Sequence, residues 1–167
     1  MRLFAPALAF VDLETTGMDA ASGAITEVAI VRVAADPNGG APVVDAWSTL
    51  VDPGRPIPAA IQGLTGITDA MVKGAPSFAA IAAEIERRTA GAVFVAHNAR
   101  FDYGFLKHAF ARLGRTYSAR VLCTVKLSRR LFPDAASHSL DAVIERHGLA
   151  VTGRHRALGD AHALWSF

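Results

Sequence analysis

The segment LAFVDLETTG, residues 8–17, sets the reading of the chain. Leu8–Leu13 is an apolar run that ends on charge, and it reads as a buried strand. On a strand, positions i and i+2 point to the same side. Asp12 and Glu14 therefore stand side by side at the strand's end, and Thr15-Thr16-Gly17 turns the chain. Two carboxylates held that close repel each other unless a cation lies between them. Hard divalent ions take oxygen ligands of this kind. Taken alone, the pair fits two solvent-facing acids at a strand end equally well.

Upstream, Arg2 followed by the apolar Leu3–Val11 has the outline of a short signal peptide. The run is too short for that, and acids follow at once, so it reads as buried strand. Downstream, Ile25–Ala34 is β-branched and partly alternating and reads as a second strand. Asp36-Pro37-Asn38-Gly39-Gly40 is a turn, and Val43–Val51 a third strand. Short connections favour antiparallel hairpins among these three. Asp52–Pro76 is punctuated by Pro and Gly, with a short helix near Ala59–Gly63. Ser77 is placed to cap a helix carrying Phe78, Ile81, Ala82 and Ile85 at helical spacing. Ala92–Ala96 reads as a short strand. Phe101–Leu113 reads as a helix with Phe101, Phe105, Ala109 and Leu113 on one stripe and Gly114 as its stop. Val121-Leu122 is the fifth strand. Helices follow over Val125–Leu131, Ser139–His147 and from about Arg156 onward, the first two closed by Pro133 and Gly148. Three antiparallel strands, then strands reached through helices, make an α/β fold: a mixed five-stranded sheet flanked by helices.

The bulk numbers agree with one globular domain. The chain has 167 residues, 51% hydrophobic and 19% charged, enough to bury a core and too apolar for disorder. No apolar run approaches the roughly 20 residues of a membrane span. The single Cys123 excludes an internal disulfide and fits a reducing, cytoplasmic setting. Residues 1–85 carry 4 Lys/Arg and 9 Asp/Glu, whereas residues 86–167 carry 13 and 6. Acid in one half and base in the other suits a protein that holds cations and meets a polyanion.

Two further segments carry candidate chemistry. His97-Asn98-Ala99-Arg100-Phe101-Asp102 places an acid at the start of a helix, where the dipole alone would favour it. His155-Arg156-Ala157-Leu158-Gly159-Asp160 pairs a histidine with an acid five positions on. On an ideal helix that spacing separates side chains by roughly 140°, so the two share a site only if His155 lies on the preceding loop or first turn. The other histidines and Cys123 show no zinc-like spacing.

Together these segments resemble the DEDDh exonucleases of the ribonuclease-H-like superfamily, the group that contains the proofreading, epsilon-type subunit of bacterial DNA polymerase III. Asp12–Gly17, His97–Asp102 and His155–Ala161 are similar to its three motifs, in order. Leu64-Thr65-Gly66-Ile67 and Ser137-His138-Ser139-Leu140-Asp141 are also family-like. The resemblance spans nearly the whole chain and implies the ribonuclease-H-like sheet. The chain reads as one exonuclease domain over residues 1–167, of a kind that a longer chain could contain.

The resemblance implies two divalent ions, Mg²⁺ or Mn²⁺. Asp12, Glu14 and Asp160 would hold one, Asp12 would bridge to the second, and Asp102 would act on that site directly or through water. His155 would be the general base, since a group with a pKa near 6.5 can take a proton at neutral pH. The implied reaction removes nucleoside 5′-monophosphates from a DNA 3′ end, single-stranded or frayed, in replication or repair. Backbone groups at Thr15 and Thr16 would approach the 3′ hydroxyl. Leu64, Thr65 and Phe101 would pack on the last bases, Phe101 serving equally well as core. Asn98 would orient Asp102 or touch the strand. Arg154 and Arg156 would contact phosphates, or would lie on a solvated loop. A DNA polymerase subunit or a fused repair domain is the implied protein partner, and no membrane is implied. Two alternatives stay open on the same motifs. One is a catalytically silent nucleic-acid-binding or docking module. The other is an exonuclease or phosphodiesterase directed at RNA or short oligonucleotides.

Overall fold

The computed structural model describes residues 6–153 and 155–167. The first residues of the signal-peptide-like run, and Arg154, lie outside the described residues. Five strands form one sheet: β1 (Leu8–Thr15), β2 (Ile25–Ala34), β3 (Val43–Leu50), β4 (Val93–Ala96) and β5 (Arg120–Cys123). The helices are α1 (Ala59–Thr65), α2 (Asp69–Val72), α3 (Phe78–Thr89), α4 (Arg100–Arg112), α5 (Thr124–Leu131), α6 (Leu140–His147) and α7 (Ala157–Ser166). The strand order is β3-β2-β1-β4-β5. β1–β2 and β2–β3 pair antiparallel, as the short turns require, and β1–β4 and β4–β5 pair parallel through helical crossovers. This is the mixed sheet expected from the element order, with the parallel strands on one side of β1.

Side-chain alternation along β1 divides the interior. Ala9, Val11 and Leu13 point to one face, where Ile81 and Ile85 of α3 and Phe105, Leu106 and Phe110 of α4 cover them. Phe10 points the other way, with Ala29, Val31 and Val95, toward Leu140 of α6 and Ala157, Ala161 and Leu164 of α7. β2 is covered on both sides, which explains its near-continuous apolar run.

Three local expectations need correction. β1 continues to Thr15, beyond Leu13, because the hairpin ladder carries on through a bulge between Glu14 and Thr15. A one-turn helix, α2, sits inside the Pro/Gly-punctuated stretch; the Thr68 side chain accepts from the Met71 amide and caps it. The buried stripe of α4 runs through Phe105, Leu106, Ala109 and Phe110, and Leu113 is 38% exposed. Leu113 lies just past the last helical residue, where the chain turns away through Gly114 at φ 70°. Phe101 is only partly buried.

Helix caps fall where their residue types predict. Ser77 and Ser139 accept from Ala80 and Ala142, and Gly148 ends α6 in the left-handed conformation. Among the described residues no helix is long and apolar enough to cross a membrane.

α7 lies against β1 and β2 through small side chains: Ala157 and Ala161 are fully buried beside Ala29. Gly159, two residues from each and so on the other side of α7, backs onto the Thr152–Gly153 segment, and a Cβ there would collide with the carbonyl oxygens of Thr152 and Gly153. Gly159→Ala should therefore cost about 1–3 kcal/mol, the usual range for overpacking against unyielding atoms. Urea midpoints of the two proteins check this, and an unchanged midpoint would contradict the packing described.

Candidate active site

Asp12 and Glu14 share the β1 face of Phe10, toward α7. The bulge after Glu14 ends the alternation there, and Thr15 and Thr16 are both buried. Bulges at such places re-aim side chains at a strand's end. Asp160 sits in the first turn of α7, 7% exposed. One carboxylate oxygen from each of Asp12, Glu14 and Asp160 lies within 4.8 Å of the others. Residues from the two ends of the described chain thus meet at the carboxyl end of β1.

The donor set fits a hard divalent cation. All three donors are carboxylate oxygens, and ligands around a Ca²⁺- or Mg²⁺-sized ion at 2.0–2.6 Å stand roughly 3–5 Å from one another. Three anions this close also need positive charge nearby.

Asp102 approaches from the other side. The β1–β4 ladder stops at Phe10↔Val95, and the amide of Leu13 beyond it donates to Asp102 Oδ1 at 3.1 Å. Asp102 is 3% exposed and is not one of the three clustered donors. Burial pushes its carboxyl up to about 8; hydrogen bonds from its own amide and from Leu13 pull the other way, and the charge of Glu14 pushes it further up. Asp102 thus ties the start of α4 to the strand that carries Asp12 and Glu14.

Glu27 is the residue that sequence reasoning missed. It lies directly opposite Glu14 in the β1–β2 ladder and is 3% exposed. Two like charges in that register repel. Arg156 answers Glu27 with a two-pronged contact, Nη2–Oε1 2.6 Å and Nε–Oε2 3.1 Å. The Ala157 amide donates to Glu27 Oε2 at 3.0 Å. The hydrogen bond to Glu27 holds the Arg156 guanidinium above its usual value. Glu27 therefore anchors the first turn of α7, three residues before Asp160. A single acid inside the otherwise apolar ITEVAIVRVA run was the available signal.

The remaining candidates divide. Arg156, a candidate phosphate contact or solvated-loop residue, pairs with Glu27 while its side chain stays 43% exposed. Arg154 lies outside the described residues. His155 is exposed, on the loop before α7 rather than in the helix, at φ 60°. Asn98 is exposed at φ 58°. These are the two non-glycine residues with positive φ among those described, and both lie in motif loops, where such conformations concentrate. The Thr15 hydroxyl donates to the Gly17 carbonyl at 2.6 Å, and Thr16 accepts from the Ala24 amide at 3.0 Å. Their side chains thus shape the turn. Thr65 is buried and turned onto Ile61 and Ile67, whereas Leu64 is 65% exposed. Phe101 lines a groove with Met18, Asn98 and Arg100, and its ring lies 4.8 Å from that of Phe105.

Residues 9–166 match the family model described as an exonuclease, RNase T. A DNA polymerase III subunit epsilon-like protein of Rhodobacter capsulatus is 44% identical over 155 residues, 91% of this chain and 22% of that protein. The PolC-type DNA polymerase III of Bacillus subtilis is 35% identical over 154 residues, 91% of this chain and 10% of that one. The chain thus spans a minor part of these relatives. An exonuclease X in complex with 5′ overhanging duplex DNA superposes with a TM-score of 0.70 and 32% identity, covering 93% of this chain and 85% of that one. E. coli exonuclease I in complex with a dT13 oligonucleotide shares the fold, with a TM-score of 0.82 at 19% identity over 97% and 40% of the two chains.

Two outcomes follow from the geometry. Removing Arg156 strands a buried carboxylate, whereas removing Glu27 releases an arginine whose side chain is 43% exposed. Arg156→Ala should therefore cost about 3 kcal/mol and Glu27→Gln about 1 kcal/mol, an ordering that urea titration reads directly. For Asp102, a folded pKa raised from 3.8 to about 8 means that the neutral form is the favoured one in the folded state. Its contribution is fully present below about pH 4 and is lost as pH rises through about 8. In EDTA, the melting temperature of the wild type should fall relative to Asp102→Asn between pH 5 and pH 8. A constant difference would contradict the burial of an ionisable Asp102.

Proposed function

The chain belongs to the RNase T exonuclease family, and from that membership we propose that it is a 3′→5′ exonuclease that hydrolyses the terminal phosphodiester of DNA. The observation that carries this reading is the convergence of Asp12, Glu14 and Asp160 at one strand end. Asp12, Glu14 and Asp160 would hold one Mg²⁺ or Mn²⁺, and Asp12 with Asp102 would serve a second. Such ions, when bound, stabilise charge on the attacking and leaving oxygens of an in-line displacement.

The chain's own residues supply the rest. His155 takes a proton from the attacking water. The water oxygen bonds to phosphorus as the bond to the neighbouring 3′ oxygen breaks, and that oxygen is protonated as it leaves. A nucleoside 5′-monophosphate departs, and the shortened strand keeps a 3′ hydroxyl. The left-handed backbone at His155 sets its ring on the loop ahead of Asp160, clear of the helix. Backbone groups of Thr15 and Thr16 receive the terminal 3′ hydroxyl. Leu64 and Phe101 offer apolar surface to the last bases, which suits an enzyme indifferent to sequence. The preference for DNA is supported by the Asp-Leu-Glu-Thr-Thr-Gly form of the first motif and by relatives named as DNA polymerase III proteins. A polymerase or a repair protein is the matching partner.

A 5′-labelled single strand, incubated with Mg²⁺ or Mn²⁺, should shorten as a ladder from its 3′ end. Asp12→Ala and an EDTA control should each reduce the rate at least ~100-fold, as the loss of charge stabilisation at the reacting phosphate would. A matched RNA lane reads the sugar preference. No shortening by folded wild-type protein would overturn the proposal.

A further inference from the structure

Between Asp102 and Asp134 the chain carries no acid and seven Lys/Arg: Lys107, Arg112, Arg115, Arg120, Lys126, Arg129 and Arg130. The structure assigns work to only some of them. Arg112 donates to the carbonyls of Ala20, Ala21 and Gly23, Arg115 pairs with Glu86, and Lys107 lies over the Tyr103 ring. Most arginines elsewhere are also engaged: Arg32, Arg55 and Arg146 on carbonyls, and Arg87, Arg88 and Arg156 on acids. Among the described residues, Lys73 and Arg100 elsewhere, and within this stretch the four residues Arg120, Lys126, Arg129 and Arg130, have exposed side chains with no protein hydrogen bond or ion pair. All four lie on β5 and α5, the edge strand and the helix it feeds.

The arrangement on α5 is not what an ordinary solvated face would show. Lys126, Arg129 and Arg130 occupy i, i+3 and i+4, so they share one side, and like charges at that spacing cost a helix a few tenths of a kcal/mol each. Lys126 stands in the first turn, where the helix dipole disfavours a cation, and no acid shares that turn. The dipole accounts for the sign of Arg129 and Arg130 but not for that of Lys126. The opposite side of α5 is fixed. Thr124 and Ser128 are buried, and Ser128 contacts His138 Nδ1 at 2.8 Å and receives Arg146 Nη1 at 3.3 Å. The cations therefore face outward on a rigid element.

That element starts beside the site. The hydroxyl of Thr124, the first residue of α5, lies 2.9 Å from His97 Nδ1 and donates to the Ala96 carbonyl. His97 and Asn98 lead directly into the helix of Asp102. α5 thus begins at the carboxyl end of β5, on the same edge of the sheet as the carboxyl end of β1 that bears the clustered acids.

We propose that the outward face of α5, Lys126, Arg129 and Arg130, with Arg120 on the strand before it, is a binding surface for the sugar–phosphate backbone of the substrate strand several nucleotides from the reacting end. This rests on the reading of the chain as a nuclease and names the part of the substrate that this face takes. Contacts of this kind hold and position a strand without reading its bases.

The test is equilibrium binding of the 167-residue protein in EDTA, where no strand is cut. Fluorescence anisotropy compares 5′-labelled oligothymidylates of roughly 4 and roughly 24 nucleotides, the short one confined to a single minimal site. Wild type should prefer the long strand, and K126A/R129A/R130A should lose at least ~10-fold of that preference. Its salt slope on the long strand should fall by about 2, since each single-strand phosphate contact contributes about 0.7. Should circular dichroism show the triple variant misfolded, Lys126→Gln alone should lower the slope by about 0.7. An unchanged preference, an equal loss on both lengths, or no binding by wild type would each overturn the proposal. Because binding is read without hydrolysis, failure of the cleavage assay with length preference intact would sink the catalytic reading and leave this surface standing.

Discussion

The structure depends on holding like charges together. Asp12, Glu14 and Asp160 meet at one strand end, with buried Asp102 and Glu27 close behind. Such a group of acids pushes itself apart unless packing and countercharge oppose it. The fold supplies both. Alanines at positions 29, 157 and 161 let α7 lie close to the sheet, and Gly159 lets the preceding loop close over its first turn. Arg156 neutralises Glu27, which sets that carboxylate apart from the cluster and turns it into an anchor. Asp102 is handled differently: burial favours its protonated form, and the Leu13 amide fixes its position. Five acids in one neighbourhood therefore have three physical fates: clustered donors, a paired anchor and a buried tie.

Much of this was legible from residue order. The period of two in β1 placed Asp12 and Glu14 on one face, and the structure keeps them there. The spacing of His155 and Asp160 required the histidine to precede the helix, and it does. Most strand boundaries were readable because apolar runs ended on Gly, Pro or charge, but the end of β1 was not, because its ladder runs on past Leu13 through a bulge. Other features were not readable because they depend on partners distant in sequence. Glu27 looked like an odd acid in a core strand; its meaning comes from Arg156, across the sheet. The pairing of Arg156 was hidden for the same reason. Leu113 fitted the helical period of α4, but the helix ends one residue earlier and solvent takes the side chain. α2 was hidden because a single capped turn has no periodicity to detect.

The uneven charge of the two halves also has a structural basis. The acids of the first half contribute Asp12, Glu14 and Glu27, on adjacent antiparallel strands. The bases of the second half divide into those that brace the fold, such as Arg112 and Arg156, and those left outward on β5 and α5. Composition recorded the imbalance, whereas only the three-dimensional partners separate bracing cations from available ones.

The route by which the cluster closes has a temporal consequence. Asp12 stands in the first strand and Asp160 in the last helix, so nearly every other element lies between them in the chain. Long-range closures of this kind form late, and during synthesis the amino-terminal part emerges first. A ribosome-bound or truncated chain lacking α7 could build much of the sheet while missing a third of its clustered donors. The three-donor cluster is thus incomplete until α7 docks on β1 and β2.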